Sequence, residues 1–447
     1  MRLQTVIASF MVGCACGPPS ADLDAGHDAG AMKLDGGVDG GAPDGGPDAG
    51  GATDAGATDA GPMDAGLNDA GAADGSVDAG PMDAGLADAG AADAGPVDGG
   101  ARVDAGWFAS QSALPLSTPP AVVGQGDFNG DGRPDLVVGY TSTAPTAVIY
   151  WGQGSGAFTL GPTSSLYLPA TTVGLTELQA TDLNGDGFTD VVFVGVRKVG
   201  YALARADGGG LGPPVEIAPS NSWAGLVVGD FNGDGRPDVK VSIAGMFGSA
   251  LAFFNLGDGG FASSGWLTPL PLFSAAGDFD LDGGDDLAML FSDVGVSSRV
   301  YLGQTDGGIA SGAPTPVTCA PTNIAVGDVS GDGCADLLVG CTSPAVIPFW
   351  SDCRGGLLAQ TPVTLTDPPY YAMRLGDLNA DGRLDLVTLG PTGAVEVRLA
   401  SSDGGFIKVA DQQMPLSPSQ LILADVNGDG RSDVITVGTG VVVSLSR

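Results

Sequence analysis

A nine-residue acidic pattern recurs seven times in this chain at a near-constant interval. It reads Asp-x-(Asn/Asp/Ser)-x-Asp-Gly-x-x-Asp, and each copy runs into a short apolar stretch. The first copy is Asp127-Phe-Asn-Gly-Asp131-Gly-Arg-Pro-Asp135, followed by Leu-Val-Val. The others begin at Asp182, Asp230, Asp278, Asp328, Asp377 and Asp425, at spacings of 55, 48, 48, 50, 49 and 48 residues. A fixed period of this size demands a repeat architecture, and clustered oxygen side chains at fixed offsets point to a cation.

Each unit repeats one order of segments. An apolar stretch such as Ala224-Gly-Leu-Val-Val-Gly229 leads into the loop, and a β-branched run such as Asp433-Val-Ile-Thr-Val leaves it. A third run ends in turn residues, as in Ala252-Phe-Phe-Asn-Leu-Gly-Asp-Gly-Gly260, and a fourth starts at Phe261-Ala-Ser-Ser. Short apolar runs punctuated by Gly, Asp and Pro read as strands, and no segment carries a long helical period. Four strands per unit, seven times over, predict an all-β chain folded as a seven-bladed β-propeller over residues 107–447.

Finer expectations follow from that architecture. The residue before each loop is small (Gly126, Thr181, Gly229, Gly277, Gly327, Gly376, Ala424), which suits crowding of the innermost strands at the axis. The second loop residue is apolar in every copy (Phe128, Leu183, Phe231, Phe279, Val329, Leu378, Val426), which suits a wedge between blades. The last repeat stops after its third strand, whereas Trp107-Phe-Ala-Ser-Gln-Ser-Ala-Leu-Pro-Leu116 resembles the fourth strand beginning at Phe261. That N-terminal strand should complete the last blade and remove an exposed sheet edge. Connections alternate between the two faces of such a ring. Cys334 and Cys353 then share one face and Cys319 and Cys341 the other, which predicts disulfides Cys334–Cys353 and Cys319–Cys341.

The loops offer hard oxygen donors at positions one, three, five and nine, with a backbone carbonyl at position seven. In loop one these are Asp127, Asn129, Asp131 and Asp135 with the carbonyl of Arg133; in loop two, Asp182, Asn184, Asp186 and Asp190 with that of Phe188. Loop three has Asp230, Asn232, Asp234, Asp238 and Arg236, and loop four Asp278, Asp280, Asp282, Asp286 and Gly284. Loop five has Asp328, Ser330, Asp332, Asp336 and Cys334. Loop six has Asp377, Asn379, Asp381, Asp385 and Arg383, and loop seven Asp425, Asn427, Asp429, Asp433 and Arg431. Six to eight oxygens suit Ca²⁺, and up to seven structural Ca²⁺ ions are expected. An Asp-Gly hairpin turn alone does not require Asp at three fixed positions in every copy. An EF-hand would place Glu at position twelve, where Val138, Phe193, Val241, Met289, Val339, Thr388 and Thr436 stand instead. Loop four, with the most carboxylates, should bind most tightly, and loop five, with Ser330, most weakly.

The formal net charge of −35 is concentrated. Eighteen Asp lie between Asp22 and Asp104 and another 22 are loop donors, together 40 of the 52 acidic residues. No basic patch offsets them, so nucleic acid is excluded as a partner. The one histidine, His27, precedes the repeats, which excludes His-dependent triads and His-ligated zinc from the folded part. Residues 17–106 repeat Asp-Ala-Gly with almost no aromatic or β-branched side chains. Such a tract cannot offset its ordering entropy and reads as a disordered, charge-stretched spacer. Residues 1–16 read as an export signal: Arg2, an apolar run, then Met11-Val12-Gly13-Cys14. That end resembles a bacterial lipobox, which implies lipid attachment at Cys14, with Cys16 as the alternative. The chain is then expected at the cell envelope, on the outer membrane or cell surface, held by lipid alone.

The loops, on units of this length, resemble FG-GAP repeats, also called VCBS repeats, and the calcium-bearing blades of the integrin α-subunit propeller. The resemblance covers residues 107–447 and implies Ca²⁺ in hairpin loops on one face, with ligands taken on the other. The expected function is a non-enzymatic, calcium-stabilised binding or adhesion module, monomeric, for a surface protein or polysaccharide. The candidate contact loops are Asn221-Ser-Trp223, Pro369-Tyr370-Tyr371, Arg197-Lys198 and Met246-Phe247, with Trp223, Tyr370 and Tyr371 as stacking aromatics. The plainer reading of these residues is packing between blades. The alternatives are a propeller-based polysaccharide lyase or hydrolase, for which Lys198, Lys240 and Lys408 are the few candidate bases, and a purely structural envelope protein.

Overall fold

Each β-branched run that leaves an acidic loop forms the second strand of a four-stranded antiparallel meander, and seven such sheets form the ring. The computed structural model describes residues 106–447 apart from 117, 142–143, 169–173, 196–197, 220–222, 244–248, 268–270, 292–296, 304–308 and 403. Cys14, Cys16 and the Asp-Ala-Gly tract lie outside the described residues. Blade one comprises Val122–Gly126, Asp135–Tyr140, Thr146–Gly152 and Phe158–Ser165. In blades four and five the fourth strand is broken in two, Ile309–Ser311 with Thr315–Pro316 and Leu357–Ala359 with Val363–Thr364.

The register is the same in all seven blades. The small residue before the loop faces the ninth-position Asp: Gly126 opposite Asp135, Thr181 opposite Asp190, and so on to Ala424 opposite Asp433. The loop is therefore a hairpin connection, and its last Asp is the first residue of the second strand. Second strands lie inside the sheet and are covered on both faces, which is why they read as unbroken apolar runs. Leu136, Val137 and Val138 are all fully buried.

The core is divided into seven clusters, one at each seam between blades. Phe128 of loop one packs with Val191 and Phe193 of blade two, and Leu183 of loop two with Val239 and Val241 of blade three. Val426 of loop seven packs with Leu136 and Val138 of blade one, which closes the ring. The second-position residues are thus wedges between blades. The ring also closes through the chain ends. Ser110–Ala113 pairs with Val441–Leu445 as the outer strand of blade seven, whose other strands are Gln420–Ala424 and Asp433–Val437.

The small residue before each loop answers both the crowding of innermost strands that the sequence suggests, as where a Cβ on Gly277 would lie 2.5 Å from Val326 of the next blade's first strand, and a second neighbour. A Cβ on Gly126 would lie 2.3 to 2.7 Å from atoms of Thr189, the eighth residue of the next blade's loop. Gly229 meets Asp285, Gly327 meets Leu384 and Gly376 meets Ser432 in the same way. The close approach serves a backbone hydrogen bond from the eighth residue to the first residue of the preceding loop. Thr189 N donates to Asp127 O at 2.7 Å, Asp285 N to Asp230 O at 2.6 Å, Ala335 N to Asp278 O at 2.8 Å and Ser432 N to Asp377 O at 2.6 Å. The two blades with Thr181 and Ala424 instead of glycine are followed by Pro237 and Pro134 at the eighth position. Proline has no N–H to give, so no such bond requires the glycine there.

Removal of the N-terminal strand tests the closure. A chain beginning at Pro115 leaves Val441–Leu445 as an open edge, a template for pairing with another chain. It is expected to melt lower than the full chain and to shift to larger species by light scattering. Unchanged mass and melting temperature would refute a closing role for the strand.

Candidate metal centre

Within a loop the first carboxylate is wrapped by its own backbone. Asp127 Oδ1 accepts from Gly130 N (2.7 Å) and Asp131 N (3.2 Å), and Oδ2 accepts from Gly132 N (2.7 Å). Asp182, Asp328 and Asp425 make the same three bonds. Successive N–H groups converge because positions four and six both adopt left-handed backbone, which forms an anion-cradling nest. Gly132 at position six has φ 77°, and Gly130 at position four has φ 73°. At position four Leu281 (φ 62°) and Ala380 (φ 60°) hold the conformation without glycine, at a cost of about 1 kcal/mol each.

The middle of the loop is a second network. Asn129 Oδ1 accepts from Asp131 N at 2.9 Å, and Asp131 Oδ1 accepts from Arg133 N at 2.9 Å. Asn184, Asn232, Asn379 and Asn427 each donate Nδ2 to the fifth-position Asp. Arg236, Arg383 and Arg431 also pair with that fifth carboxylate, through Asp234, Asp381 and Asp429.

The ninth carboxylate links the loop to the rest of its blade. Asp135 is fully buried; its Oδ2 accepts from Phe128 N (3.0 Å) and its Oδ1 from Gly152 N (2.7 Å) at the end of the third strand. Asp190, Asp238, Asp286, Asp336, Asp385 and Asp433 repeat the arrangement. Their Oδ2 atoms hold Leu183, Phe231, Phe279, Val329, Leu378 and Val426. Their Oδ1 atoms hold Ala204, Asn255, Gly303, Ser351, Ala400 and Ser446. One side chain thus fixes the wedge residue and the third strand together.

Burial raises the pKa of these buried acids, and the loop's other carboxylates add to it. Asp135, Asp190, Asp385 and Asp433 rise to about 6, and Asp238 and Asp286 to about 7. Backbone hydrogen bonds oppose the shift without cancelling it. A divalent cation would remove the penalty on the ionised form. The donor set fits a hard cation: carboxylates, amide or hydroxyl oxygens and a backbone carbonyl, with two lone pairs on each oxygen. In loop four, Asp278, Asp280 and Asp286 each offer an oxygen within 4.8 Å of the others. That loop also carries Asp285, whose Oδ2 accepts from Asp230 N at 3.0 Å. A cavity of about 310 Å³ opens beside it, lined by Gln179, Thr181, Asp230, Pro237 and Asp285 among others. It lies on the loop side of the ring, where sequence reading placed calcium and took the opposite face for a partner.

The structure joins Cys319 to Cys341 (Cα–Cα 5.8 Å) and Cys334 to Cys353 (Cα–Cα 5.6 Å), both in blade five. Of the aromatics on the opposite face, Tyr370 is exposed, while Tyr371 packs against the cluster between blades six and seven. Trp223 opens the first strand of blade three, and its side chain lies outside the described residues, as do Arg197, Asn221, Ser222, Met246 and Phe247. Lys240 is fully buried and donates to Ser242 Oγ (2.9 Å) and Ser274 Oγ (2.6 Å) at the seam with blade four.

The family model described as FG-GAP-like repeat matches residues 127–193, 182–241 and 377–436. No curated protein sequence matches the chain. Among solved structures the ring is similar to BBS1N, crystallised in complex with ARL6DN. The mercury-soaked form gives a TM-score of 0.53 at 13% identity, covering 76% of this chain and 96% of that one. The lead-soaked form gives 0.52 at 13% identity, covering 76% and 97%. The Neurospora crassa Pan2 WD40 domain gives 0.50 at 11% identity, covering 75% and 94%. At these identities the likeness is one of fold.

Two measurements probe the ninth carboxylates. Asp385→Asn places an amide N–H₂ or a single carbonyl against two backbone donors, and should cost about 1–3 kcal/mol in denaturant unfolding of metal-free protein. Asp381→Asn, at the exposed fifth position, should change stability by no more than about 0.5 kcal/mol in the same assay. The pH dependence has a defined sign. A folded-state pKa above the ordinary carboxylate value means the folded chain binds these protons more tightly, a gain fully present below about pH 4. That gain is lost as pH rises through about 6 to 7. Metal-free protein should therefore melt progressively lower from pH 4.5 to 7.5, by scanning calorimetry at about constant ionic strength. A rise over that window would overturn the assignment.

Proposed function

The chain is an FG-GAP repeat propeller, and from that premise we propose that it is a calcium-braced, non-enzymatic binding module displayed at the cell envelope. The observation that carries the reading is the repeated burial of the ninth carboxylate between its loop and its third strand. Groups held by backbone N–H bonds in every blade suit bracing of a scaffold better than turnover of a substrate. In this reading Ca²⁺ is held at each loop by positions one, three, five and nine, with the carbonyl of position seven. The ion supplies positive charge that keeps three or four neighbouring carboxylates ionised without repulsion.

The ring so braced presents two faces for a surface protein or polysaccharide. The exposed Tyr370 ring on the face opposite the loops supports recognition there, since an exposed aromatic can stack on a sugar or fill a pocket. Lipid on Cys14, or on Cys16, would tether the chain to the membrane, and residues 17–106 would hold the ring clear of it. At ~3.3 Å per residue such a spacer reaches about 300 Å when fully extended.

The test of calcium is thermal melting with and without the ion. For a module with Kd of ~10⁻⁴ M in about 2 mM Ca²⁺, each site adds roughly 1.8 kcal/mol. Several sites together should raise the melting temperature by more than about 10 °C, and chelation should reverse it. An unchanged melting temperature after chelation would count against calcium as a structural ion. Polysaccharide arrays probed with the full chain, with Tyr370→Ala as control, test recognition. Release of reducing ends or unsaturated sugars from bound polysaccharide would replace the binding reading with an enzymatic one.

A further inference from the structure

Loop five departs from the other six in a coordinated way. Position three is Ser330 where five loops have Asn and loop four has Asp, and position seven is Cys334 where four loops have Arg. In loops one, two, three, six and seven the Asn amide donates to Oδ2 of the fifth Asp. Arg at position seven adds a second occupant in loops three, six and seven. Both occupants are absent in loop five, as they are in loop four, but only loop five puts a sulfur at position seven. Asp332 keeps the bond from Cys334 N to its Oδ1 (3.0 Å), but its Oδ2 accepts from no described neighbour. The carboxylate instead shares its space with two sulfurs. Ligand atoms of Asp332, Cys334 and Cys353 all lie within 4.8 Å of one another.

We propose that this loop is a thiol-gated site for a soft divalent cation, zinc in the first instance, closed while Cys334–Cys353 is oxidised and opened by reduction. Two thiolates and one carboxylate with a water in the fourth place form a tetrahedral zinc set with an open position. The site does not depend on the disulfide for its shape. Asp336 holds Val329 N (3.0 Å), Ser330 N (2.8 Å) and Ser351 N (2.9 Å), which fixes both connections of blade five. Cys353 N donates to Ser351 Oγ (3.1 Å), and that hydroxyl donates to Phe279 O of blade four (3.1 Å). Cys334 is buried and Cys353 is half-buried, so an attacking thiolate reaches the bond from the Cys353 side.

The steps balance with an external dithiol as reductant. Its first thiolate attacks Cys353 Sγ, breaks the bond to Cys334 and forms a mixed disulfide. Its second thiol displaces Cys353, leaving a cyclic disulfide and two protein thiols, so two electrons and two protons pass to the protein. Zinc then displaces both thiol protons to the solvent and takes the two thiolates and Asp332 Oδ2 as ligands. The inference shares Asp332 with the calcium reading of loop five and departs from it in taking two sulfur donors, so zinc and calcium would compete for that one carboxylate.

Cobalt(II) titration of the full chain tests it, with a phosphine reductant that supplies no thiol. Reduced protein should develop a thiolate-to-cobalt charge-transfer band saturating at one equivalent and bleached by zinc, while oxidised protein shows none. Cys319→Ser with Cys341→Ser removes the other sulfur pair and should keep the band. Cys334→Ser or Cys353→Ser should lose it, and Asp332→Asn should shift saturation to higher cobalt. Circular dichroism in the same cuvettes verifies that each variant is folded. The proposal fails if folded, reduced protein gives no band, or if the band survives in Cys334→Ser or Cys353→Ser.

Discussion

A buried carboxylate that accepts one backbone N–H from its own loop and another from the end of the third strand is the joint on which this ring depends. Asp135, with Phe128 N on one oxygen and Gly152 N on the other, is the first of seven. The bond to position two orients an apolar side chain into the seam, and the bond to the third strand stops the sheet from splaying at the loop end. An ionised group placed this deep would be unfavourable alone, and the raised pKa of Asp135 and its counterparts records that conflict. The loop answers it by gathering further oxygens around the same point, which is an arrangement suited to a cation. Fold and the proposed metal chemistry would therefore meet in one side chain per blade.

The blades themselves are held to one another by two devices of different range. Wedges such as Phe279 and Leu378 fill the seams with apolar volume, where burial contributes about 1.5–3 kcal/mol per large side chain. Nearer the axis, the eighth loop residue donates a backbone hydrogen bond to the preceding loop, and glycine before that loop lets the chains approach. The covalent pairs Cys319–Cys341 and Cys334–Cys353 add nothing between blades, since both close within blade five.

The ring was legible in the sequence because it is written seven times over. Period, strand count and the likeness of Trp107–Leu116 to a fourth strand lead to a closed seven-bladed propeller without recourse to coordinates. Contacts between repeats were not legible at the same level. Gly126 looks like an answer to axial crowding, yet the atoms it avoids belong to Thr189 of the next unit's loop, while Gly376 meets both Leu423 of the next first strand and Ser432 of the next loop. Nor does a repeated Asp disclose what it holds. Position nine is as invariant within the chain as position one, but one faces the buried end of a strand and the other the nest of its own loop. Loop five shows the reverse case. Ser330 alone reads as a weakened oxygen site, and only the placement of Asp332 beside Cys334 and Cys353 shows what the substitutions have in common.

Pro134 and Pro237 have a mechanical meaning. Each withholds the backbone bond at one seam, between blades seven and one and between blades two and three. Blades one and two therefore form a short arc bordered by proline at both ends, while Thr189 N ties them to each other. Under load, the two proline seams are expected to part before the four seams that Thr189, Asp285, Ala335 and Ser432 tie. One of these two seams adjoins blade seven, where both ends of the ring's chain are gathered, and there Gly156 N donates to Val426 O at 3.2 Å in place of the bond that Pro134 withholds.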